Sequence, residues 1–162
     1  MRVNYLERVY KGWGNGKLKA VVCEDEEALQ LFLEKQVCEC MKEAGINGSC
    51  EVFSSAEELL EKGNPFYDLY LLDIQLGQMT GMELAEKIRE KDDHAVILFA
   101  TNYKEMIRKV FQVSALDYLV KPLDEVEVRQ ALLRSFRYLS KKKKPDCFKK
   151  SVRSGDLLSR GD

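Results

Sequence analysis

"DLYLLDIQLGQMTG", residues 68–81, sets four apolar positions in a row, Leu69-Tyr70-Leu71-Leu72, then delivers a single carboxylate, Asp73, and falls away into glycine and polar side chains. The run is too short for a helix core and has no alternation, so it reads as a strand buried on both faces. An aspartate at the end of such a strand is expensive to hold ionised unless something compensates it. Two readings compete. Asp73 either caps the turn that follows or stands at a sheet edge to do chemistry.

Working outward, strands and helices alternate along the chain. "LKAVVCE" (18–24) is a short apolar run ending in acid, followed by a helical stretch from Glu26 to Glu43 that stops at Ala44-Gly45. "SCEVF" (49–53) is a second strand, and "SSAEELLEKGNP" offers serine N-caps with Glu57 or Glu58 placed for a capping box. "TGMELAEKIREK" is the helix after the quoted strand. "AVILFAT" (95–101) is a fourth strand with "NYKEMIRKVFQ" as its helix, and "ALDYLVKP" (115–122) is a fifth. "DEVEVRQALLRSFRYLS" closes the unit as a long amphipathic helix. Apolar strands each followed by a helix predict an α/β fold, a doubly wound five-stranded parallel sheet covered on both faces.

In such a sheet ligands bind outside the carboxyl ends of the strands. Four strands end in residues that carry chemistry: Glu24-Asp25, Asp73, Thr101 and Lys121. Taken singly, each has an ordinary explanation: Glu24-Asp25 and Thr101 as helix N-caps, Lys121 as a surface residue before a proline turn. Gathered at one edge, three carboxylates repel and favour a cation. Oxygen ligands without sulfur or imidazole suit magnesium, with a lysine and a hydroxyl left to hold phosphate oxygens. A central aspartate can act as a nucleophile towards phosphorus.

The stretches "VVCEDEEAL", "YLLDIQLGQMTGMELAEKIR", "VILFATNY" and "ALDYLVKPLD" resemble the receiver domain of bacterial two-component response regulators over roughly residues 18–140. The resemblance implies the flavodoxin-like strand order 2-1-3-4-5, and it makes Asp73 the phosphoacceptor. Glu24, Asp25 and the Gln75 backbone carbonyl would join Asp73 in binding Mg2+ (or Mn2+). Thr101 would be the switch hydroxyl, Tyr118 the aromatic that responds to it, and Lys121 the lysine that contacts the phosphoryl group. Gln75, Asn102 and Tyr103 lie at positions that tune turnover of the acyl phosphate. A cis Lys121-Pro122 bond is also implied. The implied partners are a sensor histidine kinase and a second copy of the chain, paired through the face of the fourth helix, fifth strand and fifth helix. "DIQLGQMTGMEL" and "ALDYLVKPLD" are most similar to receivers attached to LytTR-type DNA-binding domains, which implies control of transcription. The chain departs from the family at Gly77, where proline is usual, and at Asn102, where a very small residue is usual.

Composition bounds the rivals. With 162 residues, 45% hydrophobic and 33% charged, the chain suits one domain with short extensions. No apolar run approaches the ~18–20 residues of a membrane span, and the N-terminus has no secretory h-region, so a cytoplasmic location with no membrane partner is expected. A single histidine and five scattered cysteines assemble no zinc spacing and read as reduced thiols packed as small hydrophobes. A phosphatase of the haloacid dehalogenase type needs a second carboxylate two residues after its nucleophile, where this chain has Gln75. A receiver-like module that no longer accepts phosphate sits badly with the intact set of strand-end residues.

Residues 141–162 hold eight basic and three acidic side chains, residues 1–17 four and one, so the middle of this chain of net charge −1 is strongly acidic. That pattern suits a regulatory module with a linker better than a nucleic-acid binder. The expected organisation is an N-terminal extension (1–17), a receiver domain (18–140) and a basic linker (141–162) that could begin an output domain. The tail is too short to bury a core of its own, so DNA would be reached only through an output domain not complete in this chain.

Overall fold

Every residue of "VILFAT" is buried, and this fully apolar run forms the fourth of five strands in the computed structural model, which describes residues 17–141. The strands are β1 (Lys17–Cys23), β2 (Asn47–Phe53), β3 (Leu69–Leu72), β4 (Val96–Thr101) and β5 (Asp117–Val120). All pairings are parallel, in the order β2-β1-β3-β4-β5. The expected doubly wound sheet is present. Parallel neighbours need crossover connections, and four helices supply them: α1 (Glu27–Glu43), α2 (Ala56–Lys62), α3 (Gly81–Lys91) and a short α4 (Ile107–Val110); α5, which covers residues 125–141, follows the last strand.

Alternation along each strand divides the core in two. Leu18, Ala20, Val22, Leu71 and Leu98 face α1 and α5, meeting Leu33, Val37, Val128, Leu132 and Phe136. Val21, Tyr70, Leu72, Ile97 and Phe99 face the other way, against Leu59 of α2, Leu84 and Ile88 of α3 and Val110 of α4. Each such large apolar side chain contributes about 1.5–3 kcal/mol by leaving water. None of the described helices is long and apolar enough to cross a membrane.

The helix starts follow their caps. Ser55 accepts a hydrogen bond from the Glu58 N–H, and Thr80 accepts one from the Glu83 N–H. The expected continuous helix over 102–112 is not formed. In its place a 3-10 turn (Lys104–Met106), the single α turn of α4 and a second 3-10 turn (Phe111–Val113) follow one another. The first has no side-chain cap, and of these ten residues only Val110 and Val113 are buried, so little burial holds a regular helix together. Ser114, in the left-handed conformation at φ 54°, ends the segment.

The cysteine expectation holds in part. Cys23 and Cys40 are buried core residues, Cys50 is half-buried, and Cys38 is exposed on α1; all four are free thiols. Burial pushes the Cys23 thiol up to about 12, with Glu24 adding to the effect. Cys147, the N-terminal extension and the basic tail lie outside the described residues.

Candidate functional site

β1 has neighbours on both sides, β2 and β3, and the chain's winding reverses between β1 and β3. At their carboxyl ends Cys23 pairs with Leu72, so the next residues, Glu24 and Asp73, leave the sheet side by side. Main-chain bonds fix both: Asp73 N–H donates to the Cys23 carbonyl at 3.0 Å, and Glu24 N–H to the Phe53 carbonyl at 3.0 Å. Asp25 follows on the exposed loop. Glu24, Asp25 and Asp73 can place one carboxylate oxygen each within 4.8 Å of one another.

β5 brings the cation. Lys121 follows Val120, its N–H donates to the Thr101 carbonyl at 2.9 Å, and the Lys121-Pro122 peptide is cis, as the resemblance implies. Its Nζ lies 2.7 Å from Glu24 Oε1 and 2.7 Å from Asp73 Oδ2, with the side chain 8% exposed. Burial opposes the charge on both sides of this contact. It pulls the Lys121 ammonium down, but the hydrogen bonds to Asp73 and Glu24 outweigh it and the pKa ends above its ordinary value. For Glu24 burial dominates and lifts the carboxyl, against the lowering effect of Lys121. Glu24 is 1% exposed, so a second cation beside it would relieve a real cost.

The capping alternatives resolve residue by residue. Asp73 serves both roles: Oδ1 accepts from the Gln75 N–H at 3.3 Å while Oδ2 faces Lys121. Glu24 accepts from the Glu26 N–H at 3.0 Å, yet the N-cap of α1 is Glu26, without a side-chain cap bond. Thr101 is fully buried, and its Oγ1 accepts only a 3.3 Å bond from the Tyr103 N–H, short of a helix cap.

The remaining expected residues surround this centre. Gln75 and Asn102 are exposed, and Tyr103 is half-buried against the core under β4. Asn102 and Lys121 line a cleft of about 460 Å3 that also borders α1 at Leu29 and Phe32. Tyr118 is half-buried, and its hydroxyl is shielded from solvent without a hydrogen-bond partner. A buried donor left unsatisfied costs about 1–3 kcal/mol, which disfavours this rotamer.

Two contributors carry little or no signal in the sequence. Gln30 Nε2 donates to the Glu24 carbonyl at 2.5 Å and to Ser54 Oγ at 3.1 Å, tying the acidic loop to the end of β2. Gly81 opens α3 so close to β3 that a Cβ there would lie 1.9 Å from the Asp73 carbonyl oxygen. Only the Thr80-Gly81 pairing of a cap residue with glycine hints at its place. Gly77 is glycine for another reason: its φ is +85°, with open space around it.

Comparison with known proteins agrees with this geometry. Residues 20–133 match the response regulator receiver domain family. The chain is 34% identical over 142 residues to the sensory transduction protein LytT of Bacillus anthracis, covering 88% of the chain and 55% of that protein. It is 36% identical over 115 residues to LytT of Bacillus cereus, covering 71% and 46%. The chain thus spans about half the length of these relatives. Among solved structures, the response regulatory domain of MrkE from Klebsiella pneumoniae superposes with a TM-score of 0.68 at 24% identity, covering 76% of this chain and 99% of that one. A beryllofluoride-activated DrrB receiver domain gives 0.63 at 22%, covering 75% and 98%.

Proposed function

The chain belongs to the response regulator receiver domain family, and from that footing we propose that Asp73 is its phosphoacceptor. The observation that carries this reading is the meeting of Glu24, Asp25 and Asp73 at one sheet edge with the Lys121 ammonium 2.7 Å from Asp73. An Asp73 carboxylate oxygen forms a bond to phosphorus while the donor's bond to that phosphorus breaks, with a phosphohistidine of a sensor kinase as the donor. Transfer of this kind depends on positioning and charge stabilisation. The domain is regulatory, and the only catalysis proposed for it is that of its own phosphorylation and dephosphorylation.

The residues fit a magnesium ion, with manganese an acceptable substitute: the donors are all oxygens, and two of the three carboxylates are buried. Glu24, Asp25, Asp73 and the Gln75 carbonyl would hold it, and when bound it supplies positive charge against which an anionic phosphoryl donor can approach. Lys121 then exchanges a carboxylate contact for a phosphoryl oxygen. Thr101, whose hydroxyl makes one weak bond at rest, turns to the same group. Tyr118 fills the space this leaves, and its orphaned hydroxyl supports that movement. Gln75, Asn102 and Tyr103 flank the phosphoryl position and set the lifetime of the acyl phosphate.

The output in this reading is the face of α4, β5 and α5, where Ile107, Phe111, Val126 and Tyr138 are exposed. It pairs two copies of the chain. Residues 18–140 act as the receiver, with 1–17 an extension and 141–162 a linker toward a DNA-binding output domain. The LytT-like relatives support control of transcription as the output, and a cytoplasmic location is part of the same proposal. Incubation with acetyl phosphate tests the proposal by intact mass. One phosphoryl group should be gained with Mg2+ and none with chelator or in Asp73→Asn; a labelled Asp73→Asn protein would refute it.

A further inference from the structure

Arg89, on the last turn of α3, donates four hydrogen bonds, all to main-chain carbonyls. Nε reaches Val113 at 2.7 Å, Nη1 reaches Ala95 at 2.7 Å and Asp92 at 3.2 Å, and Nη2 reaches Ser114 at 3.1 Å. A guanidinium carries five N–H donors in one rigid plane. Four of them are committed here, a geometry that a lysine cannot reproduce. The side chain thereby ties the turn between α3 and β4 to the far end of the 104–113 segment.

That segment is held unequally. Its far end has the Arg89 fork, the buried Val113 and a left-handed Ser114 that a non-glycine residue adopts only when its surroundings impose it. Its near end has a 3.3 Å bond from the Tyr103 N–H to Thr101 Oγ1, a main-chain bond from the Lys104 N–H to the Asn102 carbonyl at 3.1 Å, and no side-chain cap. Between the ends, Val110 is buried while Ile107 and Phe111 are 46% and 62% exposed. Movement beginning at Thr101 therefore works against the apolar packing of Tyr103, Met106 and Val110 before it reaches the directional hydrogen bonds of Arg89.

We infer that Arg89 is the fixed pivot of the switch segment, holding Val113 and Ser114 in place in both the resting and the phosphorylated domain. Displacement of Thr101 then turns residues 104–112 as one piece and re-aims Ile107 and Phe111, where an untethered segment would unravel. This rests on Asp73 being the phosphoacceptor. Arg89 touches no reacting group and is a positioning residue. A contact equally present in two states cannot bias the equilibrium between them, so losing it changes the character of the switched state and not the ease of reaching it.

The test titrates the native chain, Arg89→Ala and Arg89→Lys with beryllofluoride and Mg2+, followed by amide NMR and hydrogen exchange. Amides beside Asp73 report loading, and amides of residues 104–116 report the segment. The native chain should move both sets to one new discrete position. Arg89→Ala should load with an affinity within about threefold of native, since a pivot present in both states exerts no differential effect. Its 107–114 amides should broaden, and those of 110–116 should exchange about tenfold faster or more, with β3 and β4 unchanged, because only local opening is eased. Arg89→Lys should recover less than half of that protection, and it carries the test if the alanine variant does not fold. Native-like discrete shifts and protection in both variants would overturn the pivot. So would a loading affinity changed by more than about tenfold, which would make Arg89 a bias toward one state. A native chain that does not load at all would bring down the phosphoacceptor reading, and the pivot with it.

Discussion

Removing the Lys121 ammonium leaves Glu24 and Asp73, both buried, without the cation that touches each of them. Breaking a buried pair from one side costs about 3–5 kcal/mol, since the charge left behind is desolvated and unpaired. Lys121→Ala should therefore lower stability by an amount of that order in urea unfolding without divalent ions. Mg2+ should restore more stability to the variant than it adds to the native chain, because an ion bound only by the folded state stabilises by mass action. Equal Mg2+ effects on both proteins would count against a shared site for the ion and the ammonium. The sign with pH follows from the raised Lys121 pKa. Its contribution is complete below the ordinary value of 10.5 and is lost as pH climbs through the higher folded value. Glu24, Asp25, Asp73, Thr101 and Lys121 were legible in the sequence because each stands where an apolar run stops. Gln30, Gly81 and Arg89 were not, because each acts on main-chain atoms that only the tertiary fold brings near.

Between strand and helix, the turn after Asp73 depends on two glycines for different reasons. Alanine at Gly81 would push a Cβ into the Asp73 carbonyl, so α3 or the phosphoacceptor itself must shift. Overpacking of this kind costs about 1–3 kcal/mol, and Gly81→Ala should lose acetyl-phosphate reactivity along with stability. Gly77→Ala meets no neighbour and carries only the strain of a left-handed φ, about 1–2 kcal/mol. It should keep its reactivity within a few-fold of native. Similar rates for both variants would mean that the turn's close approach to α3 does not position Asp73. The central strands β3 and β4 were legible as elements because being buried on both faces leaves a continuous apolar run. The segment after β4 was not, because "NYKEMIRKVFQ" has the spacing of a helix but too little buried surface to complete one.

At the scale of the whole molecule, two half-cores clamp one parallel sheet, and the sheet brings the ends of four strands to a single edge. Alternating elements predicted the layers; the order itself came from the resemblance, because periodicity alone does not say which strands are neighbours. The apolar residues on the α4, β5 and α5 face predict an oligomeric consequence. Sedimentation should show weak self-association that beryllofluoride with Mg2+ strengthens, and an unchanged distribution would separate the phosphoacceptor site from the proposed dimer. The proposed switch depends throughout on where the phosphoryl group goes. Borohydride reduces an acyl phosphate to an alcohol, so treatment with acetyl phosphate and Mg2+, then borohydride, then peptide mass spectrometry names the modified residue. Homoserine is expected in place of Asp73 and at no other position, with none formed when Mg2+ is chelated. Reduction at another carboxylate, or modification that persists without the metal, would contradict it.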